Sequence, residues 1–70
     1  MADISAHITG TVWKIQVAVG DSVEVDQVVV ILESMKMEMP VEAEEAGRVK
    51  SIAVSEGDAV EEGDVLVVLE

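Results

Sequence analysis

The chain has no cysteine, so no disulfide or thiolate–metal staple supports it, and cysteine usage leaves the redox compartment open. Aromatic residues are nearly absent, with Trp13 alone, and Pro40 is the single proline. Basic residues are scarce: three lysines and Arg48 stand against fifteen acids, for a net charge of −11. A surface of that sign repels phosphate backbones and argues against nucleic-acid binding. It serves as a solubility coat, or suits partners with basic docking surfaces. No stretch approaches the ~20 consecutive apolar residues that span a bilayer, so no membrane span is expected. The start, Met1-Ala2-Asp3, has neither a basic n-region nor an apolar h-region. No secretory signal is expected there, and the cytoplasm is the expected location.

What remains is valine: fifteen of the seventy residues. That is a β-branched composition suited to pleated strands. Seventy residues make one small domain, 1–70, with a thin core that relies on efficient burial and a closed hydrogen-bond network.

Sliding the sequence by 37 residues lays Gly10–Glu33 on Gly47–Glu70, with twelve of 24 positions identical. The chain is therefore two half-repeats, about 1–35 and 38–70, related by a pseudo-two-fold axis and joined by a hairpin at 34–37. In each half a glycine opens a strand whose apolar residues fall at Val12, Ile15 and Val17, or at Val49, Ile52 and Val54. A step of three followed by a step of two breaks strict alternation. A β-bulge near Trp13-Lys14 and Lys50-Ser51 restores one face. Trp13, whose repeat partner is Lys50, falls at the bulge and is expected to be partly exposed. Gly20-Asp21 and Gly57-Asp58 read as turns, without the glycine spacing and following helix of a phosphate cradle. A second turn is Glu62-Gly63-Asp64 in one half and Val25-Asp26-Gln27 in the other. If Gly63 takes positive φ, Asp26 must follow.

Each half closes on an apolar run, Val28–Leu32 or Val65–Leu69, which reads as a strand buried on both faces. With a strand near Ile4–Ile8 and another near Met37–Ala43 the count reaches about eight, all β. The expected architecture is a flattened barrel or sandwich, with the N-terminal strand closing one sheet and the C-terminal strand the other. Pro40 argues for an edge or non-bonding position. His7, the only histidine, has no second ligand type nearby and reads as a surface or edge-strand residue, so no metal site is expected.

Three of the four methionines alternate with charge around a single lysine, in Glu33-Ser34-Met35-Lys36-Met37-Glu38-Met39. Strands run up to and away from this segment with almost nothing between, so Met35-Lys36 is the expected central pair of a tight hairpin. Neither residue has the Asn-Gly or Asp-Gly preference of such a turn, which points to another constraint on them. A lysine acting as base or Schiff-base nucleophile needs a pocket or neighbouring cations. Lys36 has carboxylates, Glu33 and Glu38, and no second catalytic group is in view. Covalent attachment of a cofactor fits better. An attachment lysine needs exposure, a defined backbone and adaptable apolar neighbours, a role methionine fills.

The segment 33–38 closely resembles the Met-Lys-Met attachment signature of the biotinyl (biotin carboxyl carrier) family. The repeat, Gly-Asp turns and length resemble the shared biotinyl/lipoyl attachment domain over essentially the whole chain. The resemblance implies a barrel-sandwich hybrid of two four-stranded antiparallel sheets. It implies that a biotin protein ligase joins biotin to Lys36, with Met35 and Met37 as recognition flanks. It further implies that biotin accepts a carboxyl group at a biotin carboxylase site and delivers it at a carboxyltransferase site, the domain being a carrier with no catalytic residue of its own. A monomer is expected in isolation. Lipoate on the same lysine, or acceptance of both groups there, is the nearest alternative, although lipoyl domains usually place an acidic and a small residue beside it. An unmodified acidic interaction module is the third. Two departures stand out. Val17–Val23 leaves no room for the protruding thumb of some acetyl-CoA carboxylase carriers. No Pro/Ala-rich linker flanks the domain, which fits either an excised domain of a multidomain carboxylase or a small stand-alone member; from the Met start and the complete final strand, a stand-alone member is the expectation.

Overall fold

The computed structural model describes residues 2–70. Eight strands account for its regular structure: β1 (Ala2–Ser5), β2 (Gly10–Ile15), β3 (Ser22–Val23), β4 (Val28–Ser34), β5 (Met37–Glu42), β6 (Gly47–Ile52), β7 (Ala59–Val60) and β8 (Val65–Leu69). They form two four-stranded sheets, ordered β1-β8-β6-β3 and β5-β4-β2-β7, with every pairing antiparallel. The all-β reading and the two-sheet architecture hold. Pro40 lies on the edge strand β5, where the missing N–H faces away from β4.

The halves are interleaved, and this corrects the expected placement of the end strands. β1 and β8 do not close different sheets; they pair with each other, Ala2 opposite Leu69 and Ile4 opposite Val67. The pseudo-two-fold explains it. β5 must pair with β4 because a hairpin joins them, and the symmetric counterpart of β4–β5 is β8–β1. Each sheet therefore draws two strands from each half. The first strand also ends earlier than expected, at Ser5 and not Ile8. Ala6 is buried, but as a crossover: its N–H donates to the Asp64 carbonyl (2.8 Å) and its carbonyl accepts from the Gly63 N–H (2.9 Å). Ala43 repeats this with Gln27 and Asp26 (2.9 and 2.8 Å).

Both expected bulges are present. The register of β2 against β4 shifts between Val12 and Lys14, and that of β6 against β8 between Val49 and Ser51. Val12, Val17 and Val49 are buried in consequence, while Ile15, Ile52 and Val54 pack half-buried against the core. Trp13, at the first bulge, is 42 % exposed with the Lys14 ammonium 5.7 Å from its ring centroid. A second symmetric pair of bulges overturns the reading of the apolar runs as strands buried on both faces. Register shifts between Val28 and Val30, and at Ile4/Ser5 opposite the start of β8, turn two consecutive side chains inward in each half. Val29 and Val30, and Leu66 and Val67, are all fully buried, whereas Ile31 and Val68 face outward and are half-buried. The bulged carbonyls are not orphaned: Val29 accepts from the Gln16 N–H and Leu66 from the Ala53 N–H, both at 2.8 Å.

The core is aliphatic throughout, and among the described residues no polar or charged group is buried in it. Polar side chains work at the turns. Asp21 accepts from the Ala18 N–H, Asp58 from the Ser55 N–H and Asp64 from the Glu61 N–H, at 2.8–2.9 Å, each reaching back three residues. Those N–H groups are thereby occupied by the protein's own carboxylates. Asp26 has φ 71° where Gly63 has φ 95°, as the repeat requires.

Candidate functional site: the Met35-Lys36 turn

The strands β4 and β5 zip in register toward the turn, with Leu32 opposite Met39, Glu33 opposite Glu38 and Ser34 opposite Met37. Only Met35 and Lys36 remain between them. Both are left-handed, φ 53° and 66°, the signature of a type I′ hairpin turn. The sheet's right-handed twist demands that turn whatever the residue types, and glycine or asparagine would take it at least cost. A non-glycine residue there costs about 1–2 kcal/mol. The chain places two side chains, Met35 and Lys36, under that strain side by side with little packing to offset it: Met35 is 92 % exposed and Lys36 is also exposed. Met37, at the start of β5, is 61 % exposed. Met39 is half-buried on the inward row beside the fully buried Leu32.

Lys36 is exposed at the apex, and none of the side-chain hydrogen bonds among the described residues engages it. Its nearest charged neighbours along the hairpin are Glu33 and Glu38, which face each other directly across the two strands. Like charges so paired destabilise a sheet by up to about 1 kcal/mol. Two clefts lie elsewhere. One is bounded by β1, Leu69 and the 42–45 segment, the other by His7, Asp26 and residues 40–44; neither is lined by residues 34–37. His7 itself is exposed in the bend after β1. The turn thus offers an amine on a fixed backbone with no enclosure around it. Such an arrangement can carry a covalently attached group and hold it clear of the barrel.

One contributor escaped the sequence reading. A Cβ on Gly10 would sit 2.6 Å from the Glu33 carbonyl oxygen and 3.5 Å from the Ser34 Cβ, at the root of the lysine hairpin. Its repeat partner Gly47 is less confined, with the Leu69 Cβ at 3.4 Å. The sequence displays both glycines identically, so only their surroundings distinguish them.

Comparison with known proteins agrees with this architecture. The family described as "Biotin-requiring enzyme", the biotin/lipoyl domain, matches residues 1–69. The chain is 50 % identical over 44 residues to the biotin/lipoyl attachment protein of Bacillus subtilis, an alignment covering 63 % of this chain and 60 % of that protein. It is 49 % identical over 41 residues to biotinylated protein TB7.3 of Mycobacterium tuberculosis, covering 59 % and 58 %. The crystal structure of Kluyveromyces lactis urea carboxylase superposes with a TM-score of 0.92 at 42 % identity, over 99 % of this chain and 6 % of that one. The chain spans less than two thirds of the length of each of these proteins. By a match over nearly its full length, and by the interleaved two-sheet barrel with its apical lysine turn, the chain belongs to the biotin/lipoyl attachment domain family.

Proposed function

We propose that this domain is a biotin carrier, with Lys36 the attachment residue, Met35 and Met37 the flanks a biotin protein ligase recognises, and no catalytic group of its own. The observation that carries the reading is the strained, exposed backbone at Met35-Lys36. Two exposed, left-handed non-glycine residues cost stability, and a recognition requirement on their side chains accounts for that cost. Lys36 contributes Nζ, which becomes the amide nitrogen. The thioethers offer adaptable apolar surface on either side. Bound there, biotin supplies the group that accepts and gives up a carboxyl. The rest of the chain holds the turn rigid, and leaves it open to a biotin carboxylase site and a carboxyltransferase site in turn. The likeness to the urea carboxylase structure and to biotinylated protein TB7.3 supports this reading. The cytoplasm is its proposed location.

A second reading, lipoate on the same lysine, is favoured by the name of the Bacillus relative, a biotin/lipoyl attachment protein. Intact mass after expression with both ligases separates the two. A single biotinyl increment, abolished by Lys36→Ala, is the expected result. An unmodified mass, or a label on Lys14 or Lys50, overturns attachment at Lys36; a lipoyl increment selects the second reading.

A further inference from the structure

Sulfur occurs in this chain only as thioether, in four methionines and no cysteine. Of the three in the hairpin, Met35 and Met37 are 92 % and 61 % exposed, while Met39 is half-buried across from Leu32. Accessible thioethers are the ones peroxide oxidises, and the product, a sulfoxide, is polar, chiral and reducible again. Elsewhere on a surface that exchange changes little. Here the two most exposed methionines among the described residues bracket the one lysine at the turn.

We propose that Met35 and Met37 form a peroxide-sensitive, reversible gate on Lys36, open as thioethers and closed as sulfoxides. The proposal rests on the attachment reading above and adds a regulatory modification site to it. In the closing step a thioether sulfur attacks one oxygen of hydrogen peroxide. The S–O bond forms, the O–O bond breaks and water leaves, with the sulfur oxidised by two electrons and the peroxide reduced. A methionine sulfoxide reductase supplied with a dithiol reverses it: the sulfoxide oxygen departs as water and the dithiol becomes a disulfide.

Closure follows from what a ligase meets at the turn. Thioether flanks pack against an enzyme surface as apolar groups, but a sulfoxide must be stripped of water and left without a matched donor. That penalty corresponds to a loss of about tenfold or more in attachment rate. A sulfoxide oxygen is also a strong acceptor one residue from the Lys36 ammonium, and it competes for the nitrogen the ligase needs. The barrel is spared, because neither side chain belongs to the buried core.

The test uses the full chain, hydrogen peroxide as the probe, catalase to remove it, and then untreated biotin ligase. Peptide mass mapping should find oxygen on Met35 and Met37 before Met39. The oxidised chain should melt within about 4 °C of the untreated one, yet show at least a tenfold lower kcat/KM for attachment. Methionine sulfoxide reductases A and B with dithiol should restore it. The double variant Met35→Leu/Met37→Leu, whatever its own starting rate, should show no peroxide-dependent fall, and Met39→Leu should keep the full one. Equal rates before and after oxidation of Met35 and Met37 would overturn the gate and leave the attachment reading intact. So would an equal fall in the double leucine variant, which would assign the effect to another residue such as Trp13. Failure of the untreated chain to be modified at Lys36 sinks both.

Discussion

Replacing Met35 by asparagine separates the demand of the backbone from the demand of a partner. Met35 sits at φ 53° in the first central position of a type I′ turn, where asparagine is among the preferred residues. A non-glycine residue in this region carries about 1–2 kcal/mol of strain, and asparagine relieves part of it through local hydrogen bonding. The methionine gives up almost no burial, being 92 % exposed. The net expectation is a gain of about 0.5–1 kcal/mol, which in a domain this small raises Tm by roughly 3–6 °C. Thermal melting followed by far-UV circular dichroism, with Trp13 fluorescence as a second probe, reads that gain. In parallel, ligase kcat/KM should fall, because the proposed recognition flank has been removed. A lowered Tm would show that Met35 is not strained or that its side chain packs. A raised Tm with unchanged ligase kinetics would remove Met35 from the recognition surface and with it the account of why the strain is there.

Three further outcomes are expected. Asp26→Gly should be neutral or slightly stabilising, since Gly63 occupies the equivalent position at φ 95°; a drop of several degrees in the melt contradicts it. Met37→Leu should leave the fold intact while changing ligase kcat/KM, whereas unfolding would make Met37 a core residue despite its exposure. Gly10→Ala should cost about 1–3 kcal/mol in urea denaturation, because its Cβ meets the Glu33 carbonyl at 2.6 Å. Gly47→Ala, with its nearest contacts at 3.4 Å, should cost less than about 1 kcal/mol; equal losses at the two sites would refute the contrast.

Much of the barrel could be read from the chain because its irregularities leave a trace. The three-then-two spacing of Val12, Ile15 and Val17 betrays a bulge, since strict alternation would place Ile15 on the wrong face. The bulges at Val29 and Leu66 leave none, because an extra inward residue inside an unbroken apolar run looks the same as burial on both faces. Ile4, Ala6 and Ile8 alternate like a strand, yet Ala6 is buried by a crossover whose partners, Gly63 and Asp64, are distant in sequence. Self-similarity established which segments are equivalent but not which ones pair, and so the exchange of β1 and β5 between halves was hidden. At the site, the turn and its central pair were legible from strand lengths and the lack of intervening residues. The left-handed backbone follows from that hairpin and was foreshadowed by the mismatch between the turn and its residue types. The approach of Gly10 to Glu33 was not, because a contact between backbones has no residue signature beyond a glycine.

The exchange of strands bears on how the molecule would behave if cut. Neither half contains a complete sheet, so each half made alone would expose the valines its partner covers and should remain unfolded. Mixed, the two pieces hold every strand the barrel requires, and scission between Lys36 and Met37 should leave a nicked barrel whose fragments stay together. The loop carrying the lysine is in this sense a splice, joining elements that already recognise each other through their backbones. Its residues are thereby released from the work of assembly, which leaves them free to be chosen for whatever must read them from outside.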